Sequence, residues 1–90
     1  MARKRTRKKK PEPTVAGVLG VGLDGEDGHT RVTRTEEMVL VGGSAETHER
    51  MQETAIRFAE ALEKRGTRLQ DTPAGAALEM LREAIERVGD

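Results

Sequence analysis

The sequence predicts an α+β domain: a short antiparallel β-hairpin or three-stranded meander followed by two helices, in the order ββαα, behind a disordered basic N-terminal arm. Three observations lead there. Residues 15–23 alternate with a period of two, a β-branched stretch then runs into Met38, Val39, Leu40 and Val41, and two apolar stripes at helical spacing follow Ser44. The reading divides the chain into an arm of residues 1–14 and a domain of residues 15–90.

The arm is defined by its charge. Seven of the sixteen basic residues, Arg3, Lys4, Arg5, Arg7, Lys8, Lys9 and Lys10, stand in the first ten positions, where there is no acid. The remainder carries nine bases against sixteen acids, so a formal net charge of zero conceals an arm of +7 on a body of −7. Cations this close repel one another and have no apolar periodicity to order them, and Pro11 and Pro13 stiffen the boundary. A basic start followed by the apolar stretch 15–23 has the outline of a secretory signal. Gly17, Gly20 and Gly22 within that stretch, the prolines before it and the lack of an A-x-A-like cleavage site speak against one. No run reaches the length of a membrane span, no lipidation motif is present, and a membrane is not an expected partner. The absence of cysteine removes disulfides and thiolate ligands, and cytoplasm is the expected compartment.

Within 15–23 the odd positions are Val15, Gly17, Leu19, Val21 and Leu23, and the even ones Ala16, Val18, Gly20 and Gly22. This is a strand with one larger and one smaller face. Residues 24–29, Asp-Gly-Glu-Asp-Gly-His, have the chemistry of a chain reversal, so the β-branched return stretch is expected to pair with the first strand as a hairpin. Glu36 and Glu37 form either a bulge, giving two strands, or a turn, giving three. Gly42 and Gly43 then break the strand.

Ser44 is a good N-cap, and Glu46 and Glu49 put negative charge where the helix dipole favours it. The first helix is expected over about Ala45–Arg65, with Met51, Ala55, Phe58 and Leu62 as its stripe and Gly66 as its stop. Thr72 and Pro73 read as N-cap and first helical residue of a second helix ending near Val88, with stripe Ala74, Leu78, Leu81, Ile85 and Val88. Apart from Met1, the chain has 20 large apolar residues and a single aromatic, Phe58. That is enough for one thin core layer, and help from a partner or second copy is in keeping with it.

Four features carry candidate chemistry. The first is the arm, whose cations neutralise phosphates and release counterions without needing a pocket; its expected partner is nucleic acid or a ribonucleoprotein. The second is the strand-to-helix junction, where Gly42, Gly43, Ser44 and Thr47 could receive an anion on outward-pointing amides. No lysine completes a P-loop there, and the glycines of 17–22 precede an acidic turn rather than a helix, which argues against a dinucleotide fingerprint. The third is a metal set of Asp24, Asp27, His29 and His48, with Glu26 and Glu49 nearby; carboxylate and imidazole together suit zinc, manganese or iron. An EF-hand loop starting at Asp24 needs glutamate at its twelfth position, where Thr35 stands, and H-E-x-x-H is absent. His48 lies on the first helix's apolar stripe, three residues before Met51, as a core-edge histidine would.

The fourth feature is the small face of the first strand, Ala16, Gly20 and Gly22, which admits a helix in cis or a strand edge from a second chain, giving a homodimer. These readings converge on a non-enzymatic binding protein, anchored by its arm and using its acidic body for a protein partner or self-association, with no cofactor. The alternative is a small-ligand or metal-binding domain with its site between the 24–29 turn and the 42–48 helix start.

Overall fold

The computed structural model describes residues 12–89. The arm cations Arg3, Lys4, Arg5, Arg7, Lys8, Lys9 and Lys10, and the disorder expected of them, lie outside the described residues. The chain forms β1 (Val18–Gly22), β2 (Val32–Arg34), β3 (Met38–Gly42), α1 (Ala45–Arg65), a 3-10 turn at Leu69–Asp71, and α2 (Ala74–Gly89). It is an α+β fold, a three-stranded sheet followed by two helices.

The topology corrects one expectation. The sheet order is β1-β3-β2, with β1 parallel to β3 and β2 antiparallel to it, so neither the hairpin of the first two strands nor a meander forms. A type I′ reversal at residues 24–29 would need two consecutive positive φ angles, and of the two glycines there only Gly28 has one. Residues 23–31 instead cross the end of β3, with Asp24 and Arg31 bonded at the junction with α1, and deliver β2 to the far side. The continuous apolar run Met38–Gly42 takes the centre, the position such a run suits. Glu36 and Glu37 lie in the β2–β3 turn. Thr35 closes it: its amide donates to Met38 O at 2.8 Å, and its Oγ1 accepts from the Met38 amide at 3.0 Å.

α1 covers one face of the sheet, and α2 packs against α1. The small face of β1 points towards them: a Cβ on Gly20 would stand 3.0 Å from Leu40 Cδ2 and 3.5 Å from Met51 Sδ. Leu40 of the adjacent strand, more closely than Met51 of α1, takes up the space beside Gly20. The core joins Met38 and Leu40 of β3 to Ala55, Phe58 and Leu62 of α1, Leu69 of the 3-10 turn, and Ala77 and Ala84 of α2. The alternating strand leaves Leu19 and Val21 on the opposite, uncovered face.

α1 begins and ends as its sequence implies, with Ser44 Oγ accepting from the Thr47 amide at 3.1 Å and Gly66 at φ 75° donating to Leu62 and Glu63 carbonyls. α2 starts differently. Thr72 is buried and its hydroxyl donates back to Arg68 O at 2.8 Å, so it is not the cap; the Ala74 amide donates instead to Pro13 O at 2.8 Å, and Thr14 bridges Pro73. The chain preceding β1 is thereby tied to the start of α2.

Glycine is required where β1 passes the β3–α1 corner. A Cβ on Gly22 would lie 2.5 Å from Gly43 Cα, a backbone atom that cannot turn aside. Gly22→Ala is expected to cost about 1–3 kcal/mol by overpacking, whereas Gly75→Ala, which meets nothing within 4 Å, leaves stability at or above wild type. Urea unfolding of the two variants checks this contrast.

Candidate functional site

The polar groups of the domain gather where residues 23–31 fold over the junction of β3 and α1. Gly42 and Gly43 turn the chain there with φ of 79° and 86°, a conformation only glycine adopts cheaply, and Ser44 then opens the helix. Asp24 reaches this helix start from the loop. Its carboxylate accepts from the Ser44 amide at 2.8 Å, Ser44 Oγ at 3.1 Å and Thr47 Oγ1 at 2.6 Å. The Thr47 hydroxyl first, then the Ser44 amide, hold this carboxyl below its ordinary value. An anion placed on Gly42, Gly43, Ser44 and Thr47 meets the protein's own carboxylate already seated on the amide and both hydroxyls.

Asp27 serves the loop itself. It accepts from Arg31 through both carboxylate oxygens, at 3.2 and 2.8 Å, and from the His29 amide at 3.1 Å. Arg31 chiefly, and the His29 amide after it, keep Asp27 well below the usual carboxylate range. The same guanidinium donates to Gly43 O at 3.1 Å, so Arg31 fastens the loop to the corner.

His48 lies beneath, 6% exposed. Nδ1 is 2.9 Å from Gly42 O and Nε2 2.8 Å from Thr33 Oγ1, which also accepts from Gln52 Nε2 at 2.9 Å. A carbonyl only accepts, so Nδ1 carries a proton, and in the neutral ring Nε2 accepts from the threonine hydroxyl. Both ring nitrogens are engaged in joining α1 to β2 and to the corner.

No family model, curated protein or solved structure matches the chain.

The site is therefore read from its own chemistry. Among the described residues no three His, Cys, Asp or Glu side chains converge as metal ligands. Of the candidate metal set Asp24, Asp27, His29 and His48, Asp24 turns to the helix start, Asp27 to Arg31, and His48 to Gly42 and Thr33, each in a hydrogen bond of the fold. Three partners at this junction, Arg31, Thr33 and Gln52, were not legible as site residues. The four-residue spacing of Asp27 and Arg31 is their nearest sequence signal, yet in a stretch of alternating charge it reads as an exposed strand face.

The depressed carboxyls set the response to acid. Each favours the folded state in full above the unfolded value near 3.8, and that contribution is lost as the pH falls from there towards the lower folded values. The melting temperature is expected to hold steady from about pH 7 to 5 and to drop below about pH 4. Asp24→Asn should melt lower than wild type at pH 7, with the gap closing towards pH 2, as thermal scans across that range would show.

Proposed function

We propose that the protein is a small non-enzymatic binding module. Its N-terminal cations Arg3, Lys4, Arg5, Arg7, Lys8, Lys9 and Lys10 hold nucleic acid or a ribonucleoprotein through phosphates, while its acidic body engages a protein partner or a second copy. The observation that carries this reading is the segregation of charge along the chain, +7 in the first ten residues and −7 in the rest.

The arrangement of the body supports the same division of labour. Arg31, Arg50, Arg57, Arg68 and Arg82 are ion-paired to neighbouring acids, mostly three or four residues away along a helix, so these cations are already partnered. The polar junction is likewise closed upon its own hydrogen bonds. Among the described residues no helix is long and apolar enough to cross a membrane, and cytoplasm remains the proposed compartment.

Truncation tests the assignment of the arm. At about 50 mM salt the whole chain should bind short duplex DNA or single-stranded RNA, and a chain beginning at Thr14 should lose that binding. Equal binding by the two chains would move the contact to the body and overturn the proposal.

A further inference from the structure

The sheet is unfinished on one side. β1 is hydrogen-bonded to β3 alone. The Val18 amide donates to Glu37 O at 2.9 Å, which directs the main-chain groups of Val18, Gly20 and Gly22 towards β3 and those of Leu19 and Val21 away from it. The N–H and C=O groups of Leu19 and Val21 thus have no backbone partner among the described residues. Natural edges are usually guarded by charge, proline or shortness. β2, the other edge, has only three residues and ends in Arg34; β1 has five, Val-Leu-Gly-Val-Gly, with no charge and no proline.

Beside this open edge runs an apolar groove of about 420 Å³, bounded by β1, α1 and α2, with Met51, Leu81, Ile85 and Val88 among its lining residues. Arg50 is the one charged residue among those lining it. Leu78 and Ile85 of α2 are 62% and 54% exposed, and Leu19 and Val21 of β1 65% and 54%, although the domain has few large apolar residues to spare.

We infer that a second copy of this chain completes the sheet, two β1 strands pairing antiparallel with Gly20 opposite Gly20 on a two-fold axis. This inference rests on the reading of the body as an interaction module and names its partner. A free edge is self-complementary only in antiparallel pairing, which an isologous dimer provides. In that register Leu19 faces Val21 of the other copy as a hydrogen-bonded pair on each side of the axis, so the N–H and C=O groups of both residues are satisfied. At the axis two glycines meet without side chains between them and the helices. An axis perpendicular to the sheet keeps the helices of both copies on one side, bringing the two grooves and their α2 flanks together.

Two bodies of −7 repel over most of their surface, and the groove, with Arg50 and no acid among its lining residues, is the face where that repulsion opposes approach least. A five-residue strand about 17 Å long, flanked by a sixteen-residue helix about 24 Å long, offers only a narrow strip, on the order of a few hundred Å² per copy. That is well below the roughly 800 Å² per partner of a standard interface, so the dimer is weak and concentration-dependent.

The full chain without nucleic acid tests this directly. Sedimentation equilibrium should give 9.9 kDa at low concentration and approach twice that mass in the hundreds of micromolar. Val21→Pro removes an N–H that serves only the free edge, so this variant should keep its circular dichroism and remain monomeric. A second measurement does not depend on how that variant folds. The chain has no cysteine, and an equal mixture of Leu19→Cys and Val21→Cys should oxidise to the mixed disulfide in preference to either homodisulfide, because those positions lie about 5.5 Å apart in the proposed register. A monomer at every concentration, a folded Val21→Pro variant that still dimerises, or a preference for homodisulfides overturns the inference. A monomer that binds nucleic acid through its arm refutes the pairing alone, and a dimer that binds none refutes the arm alone.

Discussion

Phe58→Ala is expected to remove about 3–5 kcal/mol of stability, enough to leave the domain largely or wholly unfolded near body temperature. Phe58 is the only aromatic residue of the chain, and it is 1% exposed where α1 meets Leu40 of the central strand. The remaining core consists of aliphatic side chains, three of them alanines, which cannot swell to fill the space a phenyl ring leaves. Ile56 stands two residues earlier on the same helix but is 53% exposed, and Ile56→Ala should cost less than about 1 kcal/mol. Urea unfolding of both variants reads the difference. Equal and small losses would mean that the stability lies elsewhere than in this layer.

Much of the fold was legible because local chemistry and tertiary packing agreed. Ser44, the stripe from Ala55 to Leu62, and Gly66 specify α1 without help from the rest of the molecule, and the observed helix keeps the expected bounds. The strands were legible as strands, since alternation and β-branching report on a pleated surface whatever lies beside it. Their pairing was not. Residues 24–29 carry the composition of a tight turn, but Asp27 holds Arg31 within a wider loop, and Asp24 sets its carboxylate on the start of α1, a contact that exists only after the loop has crossed β3. The continuous apolar run of β3 was the available sign of a central strand, and it competed with a stronger local sign of a hairpin.

The junction shows the same division. Ser44 and Thr47 were legible as a helix start, and the acids as a loop. That one of those acids would occupy that start depends on a separation of twenty residues between Asp24 and Ser44, which no local pattern encodes. The small face of β1 was read correctly as a place for close approach, and Leu40 and Met51 fill it. Leu19 and Val21 of the larger face lie on the uncovered side of the sheet.

The salt dependence of nucleic-acid binding carries the other large effect. Each phosphate neutralised by a lysine or arginine releases condensed counterions, so the slope of log K against log salt is about −0.9 per contact on duplex DNA and about −0.7 on a single strand. Seven cations acting together give slopes of about −6 and −5, a loss of three to four decades between about 50 and 200 mM salt. Sequence should matter little, because the first ten residues contain no aromatic side chain to stack on bases.

The most direct measurement is therefore the affinity of the full chain for a short duplex of arbitrary sequence across that range of salt, alongside the chain that begins at Thr14. The account predicts a fall of at least two decades for the full chain, little change when the duplex sequence is scrambled, and no measurable binding by the shortened one. A full chain that fails to bind at about 50 mM salt, or binds with an affinity indifferent to salt, would contradict it.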